Sequence, residues 1–155
     1  MKLAVKILLG LLAAFVVIQL VPYGRTHHNP AVVSEPAFAS AKGAALVRAS
    51  CYDCHSNETR WRWYNRVAPV SWWTQNHVDE GRKTLNFTDW ARSRHPDELA
   101  EVVQNGSMPP NYYRWMHSSA RLSSADKQAL VAELQAIQAS SGPGGSDPGG
   151  GESGD

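Results

Sequence analysis

The chain has 155 residues, with 15 Lys+Arg against 14 Asp+Glu and a formal net charge of +1. That length suits one small domain with attachments, and charges that nearly cancel exclude the single-sign field that advertises a nucleic-acid partner. The only cysteines are Cys51 and Cys54, so a four-cysteine zinc site cannot form within one chain.

The first element in chain order is apolar. Leu3–Val21 is interrupted only by Lys6, Gly10 and Gln19, and as a helix it would span roughly 28 Å, close to one hydrocarbon thickness. Lys6 lies near enough to the end to snorkel. Lys2 and Lys6, set against Arg25, favour that end in the cytoplasm. Pro22-Tyr23 closes the helix, and Tyr23 suits the headgroup layer. A transmembrane anchor over 1–22 is therefore expected. The competing reading is a cleaved signal peptide: Ala37-Phe38-Ala39 has the small-x-small form of a cleavage site, but it lies far beyond the apolar run. An uncleaved anchor is favoured.

Residues 23–36 carry prolines and polar residues without a helical period and read as an extended strap. A domain over 37–140 follows. Ala37–Ser50 is alanine-rich and predicts a helix, with Gly43 and Val47 on one face with Cys51. Asn57–Phe87 is dense in Trp and Arg, with turn signals at Ala68-Pro69 and Asn86. Pro96-Asp97-Glu98, with His95 or an earlier polar residue near the cap, begins a short helix through Leu99, Val102 and Val103 that stops at Asn105-Gly106. Met108-Pro109-Pro110 is an extended loop, because proline disfavours helix in the residue before it. Ser123 caps the last helix, with Asp126 in its first turn and Leu130, Val131, Leu134 and Ile137 as its apolar stripe. The Gly, Ser, Pro and acidic residues of 141–155 predict a disordered tail.

The chemistry centres on Cys51-Tyr52-Asp53-Cys54-His55. Two thiols two residues apart, followed at once by an imidazole, match the attachment site of a c-type haem. The cysteines become thioethers to the porphyrin and His55 becomes the proximal iron ligand. The alternatives are a thioredoxin-type redox pair, which needs a strand–turn–helix context absent here, or half of a zinc site. Met108 is the candidate for the sixth iron position, since a soft thioether favours ferrous iron; its alternative is core filling. Met116, His117, His77 and His95 are rivals, His117 the most plausible of them, with His27 and His28 ranked lower. Arg62, Arg66 and Arg82 suit the two haem propionates, or are ordinary solvated surface. Trp61, Trp63, Tyr64, Trp72 and Trp73 are read first as core around a haem, and second as a patch for a redox partner or a membrane surface. Asn57, Asn86 and Arg121 suit local turns or caps.

A glycine eight residues before CxxCH, a late Met-Pro-Pro loop and a closing helix begun by Leu-Ser resemble the class I cytochrome c fold. That likeness implies an all-α domain whose first and last helices cross, with Gly43 packing near Leu130 and Leu134. A closer resemblance runs from Val21 to about Ile137. It rests on Val21-Pro22-Tyr23-Gly24-Arg25, Asn29-Pro30, Glu35-Pro36, Cys51 to Thr59, Trp63-Tyr64, Ala68-Pro69-Val70-Ser71-Trp72, Gly81-Arg82, Leu85-Asn86-Phe87 and Gly106 to Pro110. These blocks are similar to the bacterial haem-binding domain family of short, membrane-anchored CxxCH proteins.

The resemblance implies one covalent haem c and a single-pass place in the bacterial inner membrane. The domain would lie in the periplasm, because c-type attachment is done outside the cytoplasm. The expected function is one-electron transfer between redox partners, themselves membrane-associated, with His55 and Met108 on the iron. An electron carrier rather than an enzyme is favoured. The alternative is a haem sensor or small peroxidase-like enzyme with an open sixth site, in which His77 or His95 would act as distal acid–base.

Overall fold

The computed structural model describes residues 2–94 and 96–141. Among these the fold is all-α, with no strand and one isolated parallel bridge between Ser34 and Asp89. The helices are α1 (Lys2–Ile18), α2 (Ala41–Ser50), α3 (Tyr52–His55), α4 (Val70–Thr84), α5 (Leu99–Gln104), α6 (Asn111–Met116) and α7 (Ser124–Ser141), with short 3₁₀ turns between them.

α1 ends at Ile18, earlier than the expected Val21, and none of its residues is buried. No helix among the described residues is long and apolar enough to cross a membrane. Gln19 explains the early end. Its amide accepts from the backbone N–H of Ala68 (3.0 Å) and donates to the Ala68 carbonyl (2.9 Å), fastening the end of α1 to the start of α4. Gly24 (φ +72°) follows in the left-handed region, and a Cβ there would strike the Ser71 carbonyl.

The strap then runs over the domain. Glu35 accepts from the Tyr52 hydroxyl (2.7 Å) and pairs with Arg48 (2.8 Å), whose guanidinium lies over the Tyr52 ring. α2 begins at Ala41 rather than Ala37, because Ser40 is extended and its hydroxyl accepts from the Gly43 N–H. The core joins α2, α5 and α7 through Val47, Leu99, Val103, Leu130, Leu134 and Ile137, with Tyr52, Leu85 and Phe87 from the segments between. Ser123 caps α7 by accepting from the Asp126 N–H (3.1 Å). α7 continues through Ser141, so the expected tail from 142 onward lies outside the described residues, as does His95.

Gly43 lies where α2 meets α7, and a Cβ there would overlap the carboxylate of Glu133, which stands between Leu130 and Leu134 in the chain. Glu133 is buried and accepts from the Ala39 N–H (2.6 Å) and the Ser40 hydroxyl (2.8 Å), so α7 supplies a carboxylate to the start of α2. One expectation is corrected: the aromatic block does not line the core. Trp63 and Trp73 are exposed (78% and 44%), Trp61 stacks on His27, and Trp72 and Tyr64 are only half-buried.

Gly43→Ala forces Glu133 to give up its two bonds at the start of α2. It is expected to lower folding stability by about 1–3 kcal/mol, measured by denaturant titration, whereas Ala45→Ser on the exposed face of α2 changes it by less than about 0.5 kcal/mol.

Candidate functional site

The CxxCH turn is a single short helix that continues almost directly from α2. Cys51 ends α2 and starts α3, and its carbonyl accepts from the N–H groups of Cys54 (3.1 Å) and His55 (2.8 Å). The turn is held by α4, a helix not foreseen in the Trp- and Arg-rich segment. Its buried face is Ser71, Val78 and Gly81, too small and polar to give an apolar stripe. Gly81 lets α4 touch the turn, since a Cβ there would lie 2.5 Å from the Cys54 carbonyl oxygen. The His55 Nδ1 is 3.0 Å from the Gly81 carbonyl and 3.2 Å from that of Leu85. Two acceptors require Nδ1 to carry the proton, which leaves Nε2 with its lone pair. This arrangement orients an imidazole for a metal. Burial lowers the His55 pKa, and the two carbonyls oppose that shift only in part, so the ring is neutral.

Burial also pushes the Cys51 thiol up to about 12 and the Cys54 thiol up to about 11. Reactive dithiols need the opposite shift, so the redox-pair reading finds no support in these thiols. Among the described residues, no cluster of three or more His, Cys, Asp or Glu can hold a metal ion.

Cys51, Cys54, His55 and Met108 line one cavity of about 400 Å³, whose walls are otherwise mostly apolar: Leu85, Phe87, Leu99, Val102, Val103 and Leu134 among others. Volume and lining are those of a site for a large, flat, apolar cofactor with few polar contacts. Met108 lies on the loop after α5, its N–H bonded to the Val102 carbonyl (2.9 Å), and its side chain is 37% exposed. His55 and Met108, far apart in sequence, thus meet at one chamber, and the residues present fit a haem.

The other candidates are sorted by their bonds. Both nitrogens of His117 are engaged, Nδ1 with the Tyr113 carbonyl (3.0 Å) and Nε2 with the Tyr64 hydroxyl (3.0 Å). Met116 faces a smaller second cavity of about 60 Å³ with His117 and Arg62. His27 lies near Asn65 and Trp61, outside the main cavity, and His28 is exposed. His77 does line the main cavity; its Nδ1 donates to the Trp73 carbonyl (2.8 Å), leaving Nε2 open.

None of the three arginines lines the main cavity. Arg82 instead donates to the carbonyls of Ser56 (2.8 Å) and His28 (3.2 Å) and to the side chains of Asn29 (2.9 Å) and Thr59 (3.0 Å), tying the strap to the loop after His55. Its guanidinium is thereby committed to protein. Arg66 is exposed on the 3₁₀ turn Trp63–Arg66, and Arg62 lines the second cavity. Asn57 and Asn86 bond each other (2.8 Å) in a buried network with Thr88, which holds this loop from behind. Tyr112 and Tyr113 at the cavity wall and the Gly81 and Leu85 carbonyls were not assigned to the site from the sequence. Gly81-Arg82 and Leu85-Asn86-Phe87, as blocks, were the visible signals.

A small all-α protein with a CxxCH turn over an apolar cavity is a haem-binding protein by its site. Residues 13–136 match the sequence model of the family described as Haem-binding domain, and the chain belongs to that family. No curated protein and no solved structure gives a match.

Gly81→Ala is expected to push the Cys54 carbonyl away and break the His55 clamp. Haem content of the purified protein, read by pyridine haemochrome, should fall at least about threefold. Lys83→Ala on the exposed side of α4 should leave it unchanged.

Proposed function

We propose that the protein is a membrane-tethered c-type cytochrome that carries single electrons between membrane-associated redox partner proteins. The observation that carries this reading is the convergence of Cys51, Cys54, the open Nε2 of His55 and the Met108 thioether on one apolar cavity. Cys51 and Cys54 each add S–H across a vinyl group, forming a C–S bond and placing the hydrogen on the neighbouring carbon, so no oxidant is consumed. Both thiols sit on one turn, so both thioethers share one rigid support. His55, through Nε2, and the Met108 thioether would be the side chains that hold the iron. The bound haem supplies the one-electron iron couple. The two prolines after Met108 stiffen the loop and limit reorganisation.

The tether is the second part of the proposal. α1 is apolar but for Lys2 and Lys6 and exposed from Lys2 to Val17, and Leu20 and Val21 beyond it stay exposed as well. α1 alone, 17 residues and about 26 Å, falls short of the roughly 30 Å hydrocarbon core, so the tether would cross only together with the apolar Leu20 and Val21 that follow it. Lys2 and Lys6 favour its start in the cytoplasm, with the haem domain on the periplasmic side. The bonds of Gln19 to Ala68 make the tether short and docked rather than loose.

The second reading, a sensor or small haem enzyme, rests on the open Nε2 of His77 at the cavity wall. That group suits acid–base work on a ligand if Met108 is absent from the iron.

The full-length ferric protein in detergent is expected to be low-spin with a far-red sulfur-to-iron band. Met108→Ala should abolish the band and lower the reduction potential by part of the roughly 0.8 V over which axial ligands tune haem. A high-spin spectrum with prompt cyanide or carbon monoxide binding in the unmodified protein, slowed in His77→Ala, would establish the second reading instead. Denaturing gels should show haem staining that survives acid–acetone extraction and disappears in Cys51→Ala/Cys54→Ala. The protein should stay in the pellet after alkaline carbonate washing, and a mature chain beginning at Ser40 would refute the tether.

A further inference from the structure

α6 follows Met108-Pro109-Pro110 directly, yet Tyr113 is the only buried residue of its six. A helix that short has no stability of its own, so its place depends on its side-chain contacts: the half-exposed Tyr112 rests edge-on against Trp73 (4.5 Å) and His77 (5.6 Å), and Tyr113 is the buried anchor. The Tyr113 hydroxyl donates to Oδ2 of Asp53 (2.8 Å), a buried bond. Asp53 lies between the two cysteines, and its Oδ1 accepts from the N–H and Nε of Arg60 (both 3.2 Å). The Asp53 carbonyl accepts from the Thr59 hydroxyl (3.0 Å). Asp53 is therefore fixed from its own side of the site and offers one remaining oxygen to α6. The Tyr113 ring also lines the main cavity and stacks on His117 (4.1 Å), which is bonded in turn to Tyr64.

We propose that Asp53 and Tyr113 form a latch between the CxxCH turn and the Met108 arm, making Tyr113 a positioning residue for the sixth iron ligand. This inference rests on the reading of Met108 as that ligand. Both prolines have fixed φ, so the position of α6 passes stiffly to Met108. The other end of the arm is held only near Val102, whose carbonyl accepts from the Met108 N–H and the Ser107 hydroxyl (3.1 Å). The chain thus uses one carboxylate, placed between the haem cysteines, to register the second half of the iron site against the first. Tyr113→Phe removes a single oxygen, keeps the ring, and releases the arm.

The test uses the full-length, haem-loaded ferric protein in detergent and measures azide affinity, the far-red band and the reduction potential together. Tyr113→Phe is expected to bind azide at least tenfold more tightly, with a weaker far-red band and a lower potential. Tyr113→Phe/Asp53→Ala should go no further than the stronger single variant, because both remove the same bond. Gly43→Ala, which loosens the fold away from the cavity, should leave azide affinity within twofold and so separates positioning from general instability. Unchanged azide affinity in Tyr113→Phe, in a protein whose Met108→Ala variant opens the site, overturns the latch and leaves the ligation reading standing. An unchanged far-red band and azide affinity in Met108→Ala overturns the ligation reading and the latch with it. Tyr113→Phe alone decides the matter if Asp53→Ala does not load haem.

Discussion

The pair of carbonyls that hold Nδ1 of His55 is the constraint on which the rest of the site depends. Gly81 and Leu85 come from the last turn of α4 and the residue after it. The Gly81 carbonyl already accepts from the Leu85 N–H (2.9 Å), and its second lone pair serves the imidazole together with the Leu85 carbonyl. The bond selects the tautomer, aims Nε2 into the cavity and requires α4 to lie against the CxxCH turn. The missing side chain at Gly81 makes that contact possible. The His55 carbonyl is used as well, accepting from the Phe87 N–H (2.8 Å), so the chain leaving α4 returns to the residue that α4 holds.

Around that clamp the protein divides its work between polar and apolar groups. Behind the turn lie Asn57, Asn86, Thr88, Arg82 and Thr59, a hydrogen-bonded layer that ties the strap and the loops together. In front lies the apolar chamber walled by α5, α7 and the 85–87 segment. A buried hydrogen-bonded layer fixes positions because each unpaired group would be penalised. The apolar side accepts a cofactor whose faces are themselves apolar. Arg82 belongs to the first layer, so its positive charge sets loop geometry.

The legible parts of the chain were those with local signals. Ser123-x-x-Asp126 and the stripe Leu130, Leu134, Ile137 announced α7, and Pro96 with Asn105-Gly106 bracketed the 3₁₀ turn and α5. Gly106 has φ +82°, the conformation that such a stop requires. α4 and α6 carried no such signal. The inward face of α4 is a serine, a valine and a glycine, and α6 buries one tyrosine, so neither shows an apolar period. The tryptophans misled for a related reason: a large ring is a strong prior for burial, but here the haem cavity is walled by aliphatic residues, Phe87 and tyrosines, and Trp63 is left at the surface.

By itself the sequence determined that the chain belongs to a haem-binding family, because CxxCH and the blocks around it express that in adjacent residues. The motif blocks implied the all-α class through their likeness to a known fold, and composition alone marked the apolar N-terminal segment. Only the tertiary structure decided which half of His55 faces the cavity, that Met108 shares the chamber while His117 is spent on Tyr64 and Tyr113, and that Gly43 meets Glu133. Those outcomes depend on contacts between residues distant in the chain. A residue's type limits what it can bond, but the packing of other helices selects which of those bonds forms.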